Sequence, residues 1–252
     1  MNIIVPIKQV PDLVEDLEID PSGKDLDRSS LKMKLSEFDD HALEEALILK
    51  DETGATVTAI AMDSEDVDKI LFTAAAKGAD KIIKITGLKN PSTHQAAKAL
   101  AEVIKGMPHD LIMTGVQAVD DRDGQLAVLL AHYLGIPHVS VVTSVKANGN
   151  MVSVSKEYGA GLVAEYEVKL PMVVGVQAAR QPPRYVPVAK VRQTMKTAAL
   201  EEVSVTGTAE TTGSSVSRFF KPEGGAGAEM IEGSAEEQAS KIIQLLKDKG
   251  IK

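Results

Sequence analysis

A stretch from Gly115 to Leu126, with the sequence GVQAVDDRDGQL, carries residue types that can bind a phosphate group. It follows the apolar run DLIMT, which predicts a short buried strand, and it precedes residues 127–134, whose apolar spacing predicts a helix. Asp123 is predicted to cap this helix, and the missing side chain of Gly124 leaves the first free backbone N–H groups open to an anion. Those N–H groups and the positive end of the helix dipole favour a phosphate. A plain capped turn without a ligand explains the same residues equally well.

Other residue types that commonly do chemistry point to simpler roles. Asp120, Asp121 and Asp123 suggest a magnesium site beside a phosphate, but helix capping and a solvated turn are the more common explanation, so no metal site is predicted. The chain has no cysteine, which excludes disulfides, thiolate metal sites and a cysteine nucleophile. Histidines occur at positions 41, 94, 109, 132 and 138, without the spacing of metal ligands or catalysts.

The elements that must position the loop alternate between strand and helix patterns over the first 140 residues. This alternation predicts an α/β fold, a doubly wound parallel sheet with helices on both faces, whose loops at the carboxyl ends of the strands form one ligand crevice. The predicted strands are residues 2–8, 55–62, 81–85 and 111–114, and the predicted helices are residues 39–50, 64–77, 94–105 and 123–134.

The next part of the chain predicts antiparallel strands at one edge of the sheet. Asn148-Gly149-Asn150 is a hairpin signal between strand patterns at 139–145 and 151–156, and further strands are predicted at 164–168 and 172–176. The glycine-rich stretch 158–161 lies between strands rather than at a helix start, so it is interpreted as a turn.

The C-terminal part of the chain has a different character. Residues 203–227 are rich in Ser, Thr, Gly, Glu and Pro with few large apolar side chains, which predicts an extended arm. Ser234-Ala235-Glu236-Glu237 is a capping box, and Ala239, Ile242, Ile243 and Leu246 place an apolar stripe on the helix that follows. We therefore expect an α/β domain over residues 1–190 and, over 191–252, an arm ending in a helix that docks on its own domain or on another subunit.

Composition excludes several classes of partner. A net charge of −8 without a compensating basic patch argues against nucleic acid, and 3% aromatic residues leave no platform for stacking bases. The apolar run at residues 3–7 has no charged leader and is too short for a signal or membrane segment. The expectation is a cytoplasmic protein without membrane insertion.

Six blocks of the sequence resemble, in order and spacing, the β subunit of electron-transfer flavoproteins across nearly the whole chain. They are VPIKQVPD from Val5, LSEFDDHALEEAL from Leu35, TAAAKGADK from Thr73, GVQAVDDRDGQ from Gly115, KLP from Lys169 and PPRYVPVAKV from Pro182. The tail AEMIEGSAEEQASKIIQLLK further resembles the branch that serves trimethylamine dehydrogenase and related methylotroph enzymes.

The resemblance implies an electron carrier subunit rather than an enzyme. In that family the β subunit holds one AMP structurally in an α/β domain of the adenine-nucleotide-binding type, while the FAD that carries electrons is bound mainly by the α subunit of a heterodimer. Carried over, the phosphate meets the backbone of Gly124, Gln125 and Leu126, and Val5 and Met62 border the adenine. The implied cofactor-binding residues are Pro6, Ser36, Glu37, Phe38, Asp39, Met62, Gly115, Gln117, Asp120, Asp121, Asp123, Gly124, Gln125 and Leu126.

The implied partners are the α subunit and a flavin-dependent dehydrogenase that donates the electrons. The family presents a leucine to such dehydrogenases, whereas the corresponding segment here, residues 177–181, offers two alanines and an arginine, so the identity of the partner stays open. The implied recognition residues are Ala178, Ala179, Arg180, Arg184 and Tyr185. The sequence also departs from the family in the second hairpin, where Gly159-Ala160-Gly161 replaces an acidic residue followed by two glycines.

Two other functions remain alternatives. Some members of the family hold a second FAD in the AMP pocket and bifurcate electrons. An adenine-nucleotide hydrolase or adenylating enzyme on the same kind of fold needs a glycine- and serine-rich loop after the first strand, and the sequence from Ile7 to Asp12, IKQVPD, has none.

Overall fold

The computed structural model describes residues 1–29, 31–206, 216–225 and 227–251. Within these residues, nine strands form one sheet in the order β11-β5-β4-β1-β6-β10-β7-β8-β9. The sheet strands are β1 (Asn2–Pro6), β4 (Thr56–Met62), β5 (Lys81–Thr86), β6 (Leu111–Gly115), β7 (His138–Asn148), β8 (Met151–Glu157), β9 (Val163–Lys169), β10 (Met172–Val176) and β11 (Leu200–Ser204). Two short strands, β2 (Gln9–Pro11) and β3 (Met33–Leu35), pair separately.

Six helices accompany the strands in the described part of the chain. They are α1 (Glu37–Thr53), α2 (Val67–Lys77), α3 (Thr93–Lys105), α4 (Leu126–Leu134), α5 (Val188–Thr197) and α6 (Ala235–Asp248). The strands from β11 to β7 are parallel to their neighbours, and β8 and β9 continue the sheet in antiparallel pairing. The doubly wound α/β fold and its antiparallel edge are therefore confirmed.

Two apolar clusters lie on opposite faces of the sheet. The alternation of side chains along a strand sends Ile3 and Val5 of β1 to one face and Ile4 to the other. The first face packs against α1 and α2 through residues such as Leu43, and the second packs against α3 and α4 through residues such as Ile104. Because both faces are covered by helices, the central strands are apolar in nearly every position.

The hairpin and the turn predicted near the sheet edge are both present. Gly149 has φ +60° between β7 and β8, where Asn148 pairs with Met151. Residues Gly159–Gly161 form a single 3₁₀ turn between β8 and β9, which is the turn expected there. This end of the sheet is therefore a meander joined by short turns.

Residues 188–204 form a helix and a strand of the α/β unit rather than part of the arm. Helix α5 packs against α2, and β11 pairs in parallel with β5 from Leu200 to Ser204. This edge pairing joins segments more than a hundred residues apart, so the local pattern did not reveal it. The α/β unit thus extends past the predicted boundary at residue 190, and part of the predicted arm, residues 207–215, lies outside the described residues.

Helix α6 carries the predicted capping box, with the Ser234 hydroxyl accepting from the Glu237 N–H at 3.3 Å and the Glu237 carboxylate accepting from the Ser234 N–H at 2.8 Å. Its apolar stripe is open to solvent, with Ile242 and Ile243 about half exposed. Among the described residues, none of the helices combines the length and apolarity needed to cross a bilayer.

Candidate functional site

A cavity of about 790 Å³ opens at the carboxyl ends of β1, β4 and β6. Strand β1 lies between β4 and β6, so the chain winds away in opposite directions from the β1/β6 pair. In doubly wound folds such a switch point is where ligands bind. Eleven of the predicted cofactor-binding residues line this cavity: Pro6, Asp39, Met62, Gly115, Gln117, Asp120, Asp121, Asp123, Gly124, Gln125 and Leu126.

The other three predicted residues form the start of α1 behind the cavity wall. Ser36 is the N-cap of α1, and Glu37 and Phe38 begin its first turn. An ideal Cβ placed on Gly115 would lie 2.7 Å from the Phe38 carbonyl carbon and 2.5 Å from the Asp39 Oδ1. Glycine is therefore the residue that lets β6 end directly against this helix.

Asp39 joins the two strands at the switch point. Its Oδ2 accepts from the Lys8 N–H at 2.8 Å, just past β1, and its Oδ1 accepts from the Gly115 N–H at 3.1 Å in β6. The carboxyl group is buried, and this burial raises the pKa of Asp39 to about 7 despite the two N–H donors. Near neutral pH the floor of the crevice thus holds a carboxyl group that is only partly ionised.

Ser36 is nearly fully buried, and its hydroxyl acts on the neighbouring Asp39 carboxyl, whose pKa it helps to lower against the effect of burial. Its backbone N–H donates to the Lys8 carbonyl at 2.9 Å, which fixes the residue beside the end of β1.

The loop between β6 and α4 turns on two left-handed residues, Arg122 with φ +55° and Gly124 with φ +63°. The Arg122 N–H donates to the Ala118 carbonyl at 2.9 Å, closing the turn before Asp123. Helix α4 begins at Leu126 with Gln125 as N-cap, so the prediction that Asp123 caps it is wrong. Asp123 instead accepts from the Gln125 N–H at 3.2 Å, because the left-handed residues delay the start of the helix.

The amino end of α4 still faces the cavity. The first backbone N–H groups of a helix have no acceptor within the helix, and the helix dipole places partial positive charge there. The first turn of α4 contains no acidic side chain. An anion at the Gly124–Leu126 corner would therefore meet the N–H groups that open this helix, of which that of Gln125 is already held by the Asp123 carboxylate.

Lys8 connects the other side of the crevice to the same loop, a contact that sequence reasoning missed. Its Nζ lies 2.8 Å from both the Asp120 Oδ1 and the Asp121 Oδ2. Burial lowers the pKa of Lys8, but the hydrogen bonds that Lys8 donates to the two carboxylates outweigh this effect, so the pKa lies above its usual value. The carboxylates that suggested a metal site are thus paired with a lysine. The only sequence signal was a lysine directly after a buried strand.

A second region carries the predicted recognition residues, in the segment 177–187 after β10. Tyr185 projects into solvent at 84% exposure, whereas Ala178 and Ala179 are partly buried. The Ala179 N–H donates to the His41 Nδ1 at 3.2 Å, which ties the segment to α1.

Arg180 and Arg184 point towards α1 and hold the segment there. Glu45, fully buried, accepts from the Arg180 N–H at 2.9 Å and from the Arg180 Nε at 2.7 Å, and also from the Val145 N–H at 2.9 Å. Glu44 accepts from the Arg184 N–H at 2.8 Å and from its Nε. The outer ends of the two guanidinium groups reach Glu52 and Asp51 on the next turns. The arginines therefore position the segment, and the glutamates that receive them were missed.

The sequence signal for this ion-pair network is the EE pair inside the apolar helix pattern HALEEALIL, where charged side chains fall on buried positions. Buried carboxylates are retained in folded proteins when they are paired. The pattern therefore indicated cationic partners without identifying them.

The fold and the crevice together define a doubly wound α/β protein whose candidate ligand site lies at its topological switch point. The family model for the electron transfer flavoprotein domain matches residues 25–208. The chain belongs to the electron transfer flavoprotein family, as a β subunit.

Individual relatives agree with this assignment. The chain is 33% identical to electron transfer flavoprotein subunit beta of Methylophilus methylotrophus over 98% of both chains, and 30% identical to the Bacillus subtilis subunit of the same name, again over 98% of both. It is also 28% identical to the acryloyl-CoA reductase electron transfer subunit gamma of Anaerotignum propionicum over 100% of both chains. These names describe electron carrier subunits rather than enzymes.

Proposed function

We propose that this β subunit binds AMP in the crevice at the switch point and pairs with an α subunit that holds the redox-active FAD. The observation that supports AMP best is the conjunction, in one cavity, of the open helix start at Gly124–Leu126 and the end of β6 at Gly115. The Asp39 carboxyl, which accepts from the Gly115 N–H, lines the same cavity. These features suit a ligand with one anionic end and further polar groups.

In this proposal each part of the crevice has its own role. The N–H groups at the start of α4 receive the phosphate at the positive end of the helix dipole, where the phosphate takes the place of the Asp123 carboxylate on the Gln125 N–H. Pro6 and Met62, at the ends of β1 and β4, form the apolar wall against the adenine. Asp39 holds β1 and β6 together beneath the ligand through its two backbone hydrogen bonds.

The role of the nucleotide in this proposal is structural. It binds only the folded chain, so it stabilises the fold in proportion to its concentration above the dissociation constant. FAD, held mainly by the α subunit, would supply the redox chemistry between a flavin-dependent dehydrogenase and an acceptor. No residue of the β subunit makes or breaks a bond.

We further propose that α6 docks on the α subunit. The helix presents Ile242, Ile243, Leu245 and Leu246 to solvent at 42–52% exposure, and its described residues bury no side chain against the α/β unit. A capped helix with an exposed apolar stripe gains stability from a partner surface. The exposed Tyr185 and the segment held by Arg180 and Arg184 then face the dehydrogenase.

The test is to co-express the chain with its α subunit, denature the purified complex and quantify the nucleotide and flavin that are released. We expect equimolar AMP and FAD. The free β chain should be colourless, because the crevice motifs match a phosphate site rather than a flavin-ring pocket. A stoichiometric yellow β chain, or a complex that releases no AMP, would overturn the proposal.

A second candidate is a bifurcating subunit with a second FAD in the same crevice. The observation that favours it is the size of the cavity, about 790 Å³, which continues from the phosphate loop to apolar side chains such as Leu17 and Leu26. That volume lies in the upper part of the range for small-molecule pockets. Release of twice as much FAD as heterodimer, without AMP, would favour this candidate.

A further inference from the structure

The chain covers its own crevice with a segment of the C-terminal arm. Residues 216–222 are hereafter called the strap, and five of them line the same cavity as the phosphate loop at Gly124: Val216, Phe219, Phe220, Lys221 and Pro222. The strap follows β11 in the chain and precedes α6, and it contains no helix or strand. Its position over the cavity therefore depends on the contacts it makes with the rest of the chain.

Two polar contacts fix the strap to the loop between β2 and β3. The Phe219 N–H donates to the Gly23 carbonyl at 2.7 Å, and the Lys221 Nζ lies 2.8 Å from the Glu18 Oε1. Glu18 and Lys221 have side chains that are each 61% exposed, so their ion pair is weak. The strap is thus held in register but by few interactions.

Apolar side chains complete the closure. Phe219 and Phe220 of the strap line the cavity together with Leu17 and Leu26 of the facing loop. Phe219 is 38% exposed and Phe220 is 67% exposed, so burial of the strap is incomplete. Segments with few buried apolar contacts open at low free-energy cost compared with the core. The strap combines a defined closed position with contacts weak enough to open.

We propose that the strap is a gate of the nucleotide site: it closes over bound AMP and slows both its entry and its release. This inference rests on the AMP binding proposed above, since it concerns the same crevice. A gate differs from a simple wall of the pocket in its kinetic effect. Weakening it raises the association and the dissociation rate constants together, whereas losing a contact with the ligand raises the dissociation rate constant alone.

The test measures both rate constants on the full-length chain by stopped-flow fluorescence with N-methylanthraniloyl-AMP, chased by unlabelled AMP. The first variant is Phe219→Ser/Phe220→Ser, which removes the apolar part of the strap. Its matched control is Met230→Ser, which removes an 81% exposed apolar side chain from the same arm outside the cavity lining. We expect both rate constants to rise roughly threefold or more in the double variant and to stay unchanged in the control.

A second pair of variants tests the polar contact without removing apolar surface. Lys221→Glu and Glu18→Lys each place like charges where the ion pair stands and should raise both rate constants, and the exchange of both charges should restore the wild-type values. This arm of the experiment decides the question even if the phenylalanine variant fails to fold.

The outcomes separate the two proposals. If the wild-type chain does not bind the analogue or AMP itself, the proposed function fails. If the wild type binds while the folded strap variants release the analogue at the wild-type rate, AMP binding stands and the gate is refuted. A rise in the dissociation rate constant alone also refutes the gate, because it assigns the phenylalanines to the pocket wall.

Discussion

Replacing Gly124 by valine should abolish AMP binding, and the chain offers a matched control at Gly135. Both glycines have left-handed backbones, with φ +63° at Gly124 and φ +69° at Gly135. Valine at either position should therefore lower the free energy of unfolding by a comparable amount, about 1–2 kcal/mol, because of the left-handed conformation. The two positions differ in their surroundings. A Cβ at Gly124 would lie 3.3 Å from the Val116 carbonyl oxygen at the phosphate loop, whereas one at Gly135 meets no atom within 4 Å.

The magnitude follows from linkage. A ligand that binds only the folded chain stabilises it by about 2.7 kcal/mol when present at about a hundred times its dissociation constant. For a chain of this size that is a rise in melting temperature of about 5–11 °C. We expect AMP to produce this rise in the wild type and in Gly135→Val, and to produce almost none in Gly124→Val.

The assay is a thermal melt with and without AMP, supported by titration calorimetry. Without AMP, both variants should melt a few degrees below the wild type by similar amounts, since both carry the backbone strain. The reasoning is refuted if Gly124→Val keeps the AMP-dependent rise shown by Gly135→Val. If Gly124→Val also blocks flavin reduction in an intact heterodimer, the crevice is redox-active and the second-FAD candidate is favoured.

Three further predictions concern the buried charges and the arm. Burial raises the pKa of Asp39 from 3.8 to about 7. Between these two pH values the folded chain keeps a proton on Asp39 that the unfolded chain releases. The contribution of Asp39 to the free energy of unfolding is therefore fully present below about pH 4 and is lost as the pH rises towards 7. Urea unfolding should therefore show a fall in stability over that range that is smaller in Asp39→Asn, and equal slopes would contradict the assignment. Glu45→Gln should lower the free energy of unfolding in urea by about 3 kcal/mol, because it leaves Arg180 without its buried charged partner. Glu52→Gln removes a carboxylate that is 46% exposed and should lower it by about 1 kcal/mol or less. Equal losses in the two variants would show that burial does not decide the strength of these ion pairs. Deleting residues 233–252 should leave the melting temperature of the free chain within about 1 °C of the wild-type value, since α6 has no buried side chain. The same deletion should weaken the heterodimer in size-exclusion chromatography. An unchanged heterodimer would refute docking through α6.

Local sequence patterns predicted where the helices and strands lie, but they did not predict which strands are neighbours in the sheet. The alternation of strands and helices up to residue 134 follows from apolar spacing, and the structure confirms those elements to within a few residues at their ends. The insertion of β10 between β6 and β7 and the pairing of β11 with β5 are contacts between distant segments. Nothing in a local hydrophobic pattern specifies which parallel neighbour a buried strand selects.

The crevice was predictable in position but not in its inner contacts. A glycine-containing loop between a strand and a helix identifies a possible anion site, and the cavity includes that loop. The start of α4 was placed too early because the left-handed conformation of Arg122 has no clear sequence signal. The pairing of Lys8 with Asp120 and Asp121 joins residues more than a hundred positions apart, so only the fold reveals it.

Helix α1 connects the two regions on which the proposed function depends. Asp39 in its first turn binds the ends of β1 and β6 under the crevice, and Glu45 binds Arg180 of the segment 177–187. The two carboxylates are six positions apart in the sequence, which corresponds to about 9 Å along a helix. Over that length an α-helix behaves as a rigid body, so the crevice floor and the segment with Tyr185 are fixed to one support. A change in the tilt of α1 would therefore move both, whereas the strap is attached to the loop between β2 and β3 and can open without disturbing either.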